Sequence, residues 1–165
     1  MEKFNHIELN NEVTKRGDNG FFKLEKDQEA IAEFLREVDH RTVKFSSEMK
    51  RLRYLVEENF YYNIFDKYIE DEIVECLELA KNFKFEFKSY MAASKFYKDY
   101  ALKTNDKKQY LENFNQHVFI VAMYLGDGNT ALAKELMIAM LEQRLQPATP
   151  TFLNSGRSRR GELVS

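Results

Sequence analysis

Cysteine, proline and long apolar runs are scarce in this sequence of 165 residues. Its single cysteine, Cys76, excludes a disulfide framework and a cysteine-rich zinc site, and fits a reducing cytoplasm. Its two prolines, Pro147 and Pro150, both lie near the C-terminal end, so helices are free to form before them. No apolar run approaches the roughly 20 residues that cross a bilayer, and the N-terminus carries no signal-peptide pattern. We therefore expect a cytoplasmic protein without a membrane partner.

The charge balance and the apolar content predict an ordinary folded domain. Lys and Arg number 25 and Asp and Glu number 27, which leaves a formal net charge of −2. This near balance gives no reason to expect a surface that binds nucleic acid. Hydrophobic residues make up 44% of the chain and aromatic residues 14%, which is enough for a core and excludes intrinsic disorder.

Apolar residues recur at helical spacing along most of the chain, which predicts a mainly α fold. The stripes and their capping residues predict helices over residues 25–38, after Ser46 or Ser47, over 70–80, after Ser89, over 110–125, and from Asn129 to before Pro147. The aromatic stretch 60–65 is expected to be a short buried helix or turn. The alternating stretch 83–87 is either a short strand or an ordered linker, and we place a boundary there, between residues 1–85 and 86–165.

The histidines and the cysteine give little support for a metal site or a nucleophile. His6, His40 and His117 are far apart, and none has a second His or Cys three or four residues away, so no metal site is predicted. His40 is expected at a solvated helix end. His117 lies on the apolar face of the strongest helix and is expected to be a packed, hydrogen-bonded core residue. Cys76 lies on a helix stripe and is expected in the core rather than as a nucleophile.

Three clusters have a structural interpretation beside a functional one. The acidic residues 70–72 could bind a divalent metal, but a helix start favours acidic residues in any case. The aromatic residues 60–65 could stack on bases, but at helical density such residues are usually core. The basic residues of the stretch 157–160 lie in a loop between two glycines, where solvated charges are the default interpretation.

The segment 146–156 loses all helical periodicity and has a different composition from the rest. Two prolines restrict its backbone, and small hydroxyl residues surround them. Such a segment is suited to holding the hydroxyls of Thr149 and Thr151 rigidly, as a phosphate or sugar site requires. No glycine-rich phosphate loop accompanies it, so composition alone leaves the ligand unnamed.

The residues QPATPTFLN at 146–154, followed by RRGELVS at 159–165, closely resemble the large (alpha) subunit of class Ib ribonucleotide reductase. The stretches LNNE at 9–12, KFYKDYALKTND at 95–106 and LGDGN at 125–129 are similar to the same family, in the same order. The resemblance covers essentially the whole chain. It implies an N-terminal portion of a catalytic subunit that reduces ribonucleoside diphosphates to 2′-deoxyribonucleoside diphosphates by radical chemistry.

The resemblance also implies partners that this chain does not contain. A small subunit with a dinuclear Mn or Fe centre generates the radical, and a redoxin-type protein re-reduces the enzyme. Nucleoside triphosphates act as effectors, although the helices between residues 25 and 80 show no phosphate cradle that would support an effector site. No cofactor is expected in this chain itself.

By the same resemblance, Thr149 and Ser165 match family positions that contact the diphosphate and ribose of the substrate. Family members carry a redox cysteine directly after the position of Ser165, so no catalytic residue is expected here. Residues 1–85 would be an N-terminal helical module, and 86–165 would begin the large-subunit domain. Its first strand of a ten-stranded α/β barrel would lie near 149–154, and the rest of that barrel is absent.

The end of the sequence at Ser165 has several interpretations: an intron, an intein, a split gene or a truncation. In each case we expect the chain to be inactive alone, with residues 147–165 poorly ordered unless the rest of the enzyme is present. The alternative is a freestanding helical binding or regulatory module without catalysis.

Overall fold

A computed structural model of the chain describes residues 20–158, with side chains from residue 26 onward. Its helices are α1 (Gly20–His40), α2 (Glu48–Glu57), a 3₁₀ turn (Ile64–Asp66), α3 (Glu70–Asn82), α4 (Tyr90–Lys95) with a π-helical turn (Phe96–Tyr100), α5 (Phe114–Gly126), α6 (Thr130–Leu141) and α7 (Thr149–Asn154). Between residues 20 and 158 there is no β-strand, and extended pairing is limited to isolated bridges. The predicted mainly α fold is confirmed.

Side-chain caps begin several of these helices, as the sequence predicted. The hydroxyl of Ser47 accepts a hydrogen bond from the amide of Lys50 at 3.1 Å, and the side chain of Asn129 accepts one from Leu132 at 3.0 Å. Such bonds satisfy amide groups that have no partner inside the helix. The helix expected over 110–125 begins later, because Asn113 forms a capping box with Gln116.

The described residues fall into two compact units, each built from two separated stretches of chain. One contains residues 20–43 and 86–112, and the other contains 44–85 and 113–158. The predicted division into residues 1–85 and 86–165 follows the order of the chain rather than these units, and it stays a prediction.

An aromatic cluster holds the first unit together where α1 packs on α4. The ring of Phe34 meets the rings of Tyr90 and Tyr97 edge-on, with centroids 5.7 and 6.0 Å apart. The amide of Tyr90 also donates to the carboxylate of Asp27 at 3.1 Å, which fixes the start of α4. Edge-to-face geometry of this kind favours defined positions over a loosely packed core.

Helix α5 is the centre of the second unit, where it packs against α3 and α6. All seven residues from His117 to Met123 are buried, so this stretch has no solvated side. The hydroxyl of Tyr68, in the loop before α3, donates to the carbonyl of Met123 at 2.7 Å. This bond connects that loop to α5. Cys76 on α3 is fully buried, and this confirms its predicted place in the core.

The stretch 83–87 is an ordered linker, one of the two structures expected for it. Phe85 stacks on Phe114, with ring centroids 4.0 Å apart and an interplanar angle of 17°. The side-chain amide of Asn115 donates to the carbonyls of Ala80 and Phe83, which holds the end of α3. Side-chain stacking and carbonyl capping therefore replace the strand pairing that an alternating pattern suggests.

The strand expected near 149–154 is wrong, since these residues form the short helix α7. Pro150 lies in the first turn, where a helix needs no amide donor and where the fixed φ of proline suits it. The amide of Phe152 donates to the carbonyl of Ala148 at 2.9 Å, which is helical pairing. The expectation of poor order over 147–165 in the isolated chain stays a prediction, and 159–165 lie outside the described residues.

Replacing Gly126 by alanine should destabilise the second unit. A Cβ at this position would lie 2.9 Å from Cβ of Ala133 and 2.8 Å from the hydroxyl oxygen of Tyr68. Overpacking of this kind costs about 1–3 kcal/mol, and urea unfolding of G126A measures it. The control is A131M at an exposed position of α6, which should change stability by less than about 0.5 kcal/mol. Equal effects of the two substitutions would contradict the close packing of α5 on α6.

Candidate functional site

The structure places one of the two expected substrate-contacting residues. Thr149 is the exposed first residue of α7, and Ser165 lies outside the described part of the chain. The two are therefore not seen together, and their shared role stays a prediction. Thr151, in the same helix, is partly buried.

His117 fixes the position of α7 on α5. Its Nε2 lies 2.6 Å from the carbonyl oxygen of Phe152, and the two rings meet edge-on with centroids 4.4 Å apart. Its Nδ1 lies 3.1 Å from Nη2 of Arg157. A guanidinium can only donate, so Nδ1 accepts, and the ring is the neutral tautomer that donates from Nε2. The predicted packed, hydrogen-bonded core histidine is confirmed, and it carries two specific bonds.

Arg157 is buried, with 4% of its surface exposed, rather than solvated in a loop. The expectation for this member of the basic cluster is therefore wrong, and the reason is the imidazole acceptor on α5. Extended backbone pairing with residues 60–62 encloses it, since the amide of Tyr62 donates to the carbonyl of Gly156 at 2.9 Å and that of Ser158 to Phe60 at 3.0 Å. These bonds secure the chain on both sides of the buried guanidinium.

Gly156 allows the chain to approach α5 closely at this point. Its φ is +82°, which is unfavourable for residues with a side chain. A Cβ here would lie 2.7 Å from Cγ1 and 3.0 Å from the carbonyl oxygen of Ile120. Both backbone geometry and space therefore require glycine.

A second buried arginine lies on α2, next to the same paired backbone. Nη2 of Arg51 donates to the hydroxyl of Tyr61 at 2.8 Å, and the backbone of Tyr61 pairs with that of Arg157. Arg51 also lies 3.9 Å from the carboxylate of Glu48, which accepts a bond from the side chain of Gln116 at 3.0 Å. The burial of Arg51 was not predicted from the sequence, because nothing in the helical pattern of apolar residues distinguishes it from an exposed arginine.

The other candidate groups have structural roles. Glu72 accepts a hydrogen bond from the amide of Ile69 at 3.2 Å and one from the hydroxyl of Thr130 at 2.7 Å. Glu70 lies 3.3 Å from the guanidinium of Arg53. Within residues 20–158, no group of three His, Cys, Asp or Glu side chains is arranged to hold a metal ion. In that same range, none of the helices has both the length and the apolar character to span a membrane.

Two family models match this chain one after the other. The model described as "Ribonucleotide reductase N-terminal" matches residues 6–85, and that described as "Ribonucleotide reductase, all-alpha domain" matches 86–160. The chain belongs to the ribonucleotide reductase family. It corresponds to an N-terminal portion of the large subunit. Each matched region contains stretches that resembled this family in the sequence, and residues 161–165 of the last stretch lie beyond the second match.

Individual relatives agree with this assignment to the ribonucleotide reductase family. The chain is 47% identical over 161 residues to the ribonucleoside-diphosphate reductase alpha subunit of Bacillus subtilis, with 96% of this chain covered. It is 45% identical over 163 residues to the NrdEB alpha subunit of the same organism, with 98% covered, and 40% identical over 162 residues to the alpha subunit of Mycoplasma pneumoniae, with 97% covered. The chain spans 15% of the NrdEB subunit, 23% of the other Bacillus subunit and 22% of the Mycoplasma subunit.

Replacing Gly156 by alanine should loosen the contact between the 156–158 backbone and α5. The unfavourable positive φ and the close approach to Ile120 both destabilise a residue with a Cβ at this position. G156A should therefore lower the free energy of unfolding, measured with urea, by about 1–3 kcal/mol. G128A is a matched control, because Gly128 also has a positive φ of 91° but its Cβ would come no nearer than 3.2 Å to a neighbour, the carbonyl oxygen of Lys67. A cost for G128A as large as that for G156A would contradict the contact with Ile120.

The thiol of Cys76 should be unreactive in the folded protein. Burial raises its pKa, and the nearby carboxylates of Glu75 and Glu72 raise it further against the opposing effect of Lys134. The neutral thiol therefore persists at mildly alkaline pH, where an exposed cysteine is partly thiolate. An aromatic disulfide reagent at pH 8 should label the native chain far more slowly than the chain in 8 M urea. Equal labelling rates would contradict the buried position.

Proposed function

We propose that this chain is the N-terminal part of a class Ib catalytic subunit that reduces ribonucleoside diphosphates to 2′-deoxyribonucleoside diphosphates. The observation that supports this most strongly is the uninterrupted succession of the two ribonucleotide reductase matches over residues 6–160. The relatives at 45–47% identity are named as alpha subunits of ribonucleoside-diphosphate reductase.

Within this function, Thr149 and Ser165 contact the diphosphate and ribose of the substrate. The position of Thr149 supports its part of the proposal, because the residue is exposed at the beginning of a helix whose far end is bound to α5. A threonine hydroxyl held in this way can donate to a phosphate oxygen. Bonds to a charged group contribute about 1.5–3 kcal/mol each.

The chemistry of reduction is supplied by groups outside this chain. The rest of the large subunit carries the catalytic thiols and carboxylate, and a small subunit with a dinuclear Mn or Fe centre provides the radical. A redoxin-type protein in the cytoplasm restores the thiols, and nucleoside triphosphates act as effectors. Cys76 takes no part in this chemistry, since it is fully buried in the core.

Substitution of Thr149 tests the proposed contact in the assembled reductase. T149A should raise KM for CDP about tenfold or more, because each 1.4 kcal/mol of lost binding is a factor of ten. T149S keeps the hydroxyl and is the matched control, with a KM close to that of the wild type. Steady-state assays of dCDP formation measure both, and unchanged KM in T149A would remove Thr149 from the substrate site.

The 165-residue chain alone should show no turnover of CDP with dithiothreitol as reductant. Its single thiol is inaccessible, and dithiol chemistry requires two reactive cysteines. A complete large subunit with its small subunit is the positive control in the same assay. Formation of dCDP by the isolated chain, above a blank without protein, would contradict the assignment of the thiols to the rest of the subunit.

A further inference from the structure

The far end of α7 is bound to α5 by side chains, whereas its near end carries Thr149. A helix of six residues has too few internal hydrogen bonds to persist by itself, so its direction depends on what its ends contact. The contact given by His117 reaches the carbonyl of Phe152, within the last turn. Leu153 beside it is buried, which adds an apolar contact at the same end.

We propose that His117 and Arg157 are positioning residues that hold the Thr149 hydroxyl where the substrate diphosphate binds. The proposal rests on the function proposed above and adds to it the source of the rigidity of the site. Neither side chain touches substrate. Both act through the backbone of α7.

The route from Arg157 to Thr149 consists of three hydrogen bonds. Arg157 donates to Nδ1 of His117 at 3.1 Å, and Nε2 of His117 donates to the carbonyl of Phe152 at 2.6 Å. The amide of Phe152 donates to the carbonyl of Ala148 at 2.9 Å, directly before Thr149. Phe152 and Thr149 are separated by three helical steps, about 4.5 Å along the axis. A shift of the Phe152 carbonyl is therefore transmitted almost undiminished to Thr149.

The arginine controls which nitrogen of His117 carries the proton. With Arg157 in place, Nδ1 must accept, so the proton is on Nε2 and points at the carbonyl of Phe152. In the other tautomer the Nε2 lone pair would face this carbonyl, and the bond that holds α7 would become a repulsion. Arg157 thereby sets the orientation of α7 through the imidazole.

The burial of both residues makes this control effective. His117 has 0% and Arg157 4% of its surface exposed, so water does not replace a lost bond at low cost. The guanidinium is in turn held by its own backbone, which pairs with Tyr61. Arg51 secures Tyr61 from the other side through its hydroxyl, so the donor to His117 is itself fixed.

The test compares variants at His117 in the complete reductase, assembled with its small subunit. H117L removes both hydrogen bonds and keeps an apolar side chain, so KM for CDP should rise about tenfold while kcat changes less than about threefold. Such a split is expected when an interaction contributes equally to ground-state and transition-state binding. H117Q offers an acceptor and a donor on neighbouring atoms, and should restore KM to within about threefold of the wild type. H40L, the same substitution at an exposed helix end, is the matched control and should leave both constants unchanged.

A double-mutant cycle separates positioning from general destabilisation. If His117 acts through Thr149, H117L should add nothing to the KM of T149A, because the contact it positions is already missing. If the two effects on KM multiply, His117 acts elsewhere and the proposal is overturned. An unchanged KM in H117L beside a raised KM in T149A also overturns it, and leaves the proposed function intact. An unchanged KM in T149A contradicts the substrate role of Thr149 and with it the positioning role of His117.

A second variant covers the case in which H117L does not fold. H117N keeps an acceptor near the position of Nδ1 but cannot reach the Phe152 carbonyl, so it should raise KM as H117L does while Arg157 stays buried. Trypsin reports on Arg157 directly, since cleavage after this residue requires its exposure. H117N should resist cleavage there as the wild type does, and H117L should be cut. A wild-type KM in folded H117N would overturn the proposal.

Discussion

The contact between the Arg157 guanidinium and the neutral ring of His117 determines where residues 149–158 lie. Removing an arginine from water is costly, and the cost is recovered only when the buried donors find acceptors. Here an imidazole nitrogen accepts from Nη2 of Arg157. The direction of this one bond fixes the histidine tautomer, and the tautomer fixes the carbonyl of Phe152. The position of α7 thus depends on which nitrogen of His117 carries the proton.

Helix α5 makes this arrangement possible because it is buried on every side over residues 117–123. Neighbouring segments must therefore approach it closely, and two glycines permit that approach. Gly126 lets α6 lie against the end of the helix, and Gly156 lets the chain before Arg157 rest on Ile120. If Thr149 contacts the substrate as proposed, this close packing matters, because a hydroxyl misplaced by about 1 Å loses much of its effect.

Local signals in the sequence were sufficient for the helices. Ser47, Ser89 and Asn129 cap their helices through the expected side-chain bonds, since a cap involves residues only three positions apart. Pro150 was a local signal for the first turn of α7 as well. The resemblance to a barrel enzyme nevertheless led to the prediction of a strand at these residues. The family assignment came from short motifs rather than from periodicity, and both matched regions contain them.

The candidate site was less predictable, because its decisive contact joins residues 40 positions apart. A run of basic residues beside a glycine is usually solvated, and nothing in the run shows that an imidazole on a distant helix accepts from Arg157. The histidine itself was placed correctly in the core, because its helical stripe is a local signal. The apolar stripe could not predict that Arg157 would be the hydrogen-bond donor to this histidine. Of the two expected substrate contacts, Thr149 is exposed at the start of α7 and Ser165 lies outside the described residues, so both contacts stay predictions.

The protonation of the His117 ring tests the central interaction most directly. Nitrogen-15 NMR of the chain with labelled histidine, at neutral pH, distinguishes the three forms of the ring by the shifts and couplings of its two nitrogens. The arrangement described requires a proton on Nε2 and a bare Nδ1 for His117. A proton on Nδ1, or on both nitrogens, would contradict the acceptor role that places Arg157, α7 and Thr149.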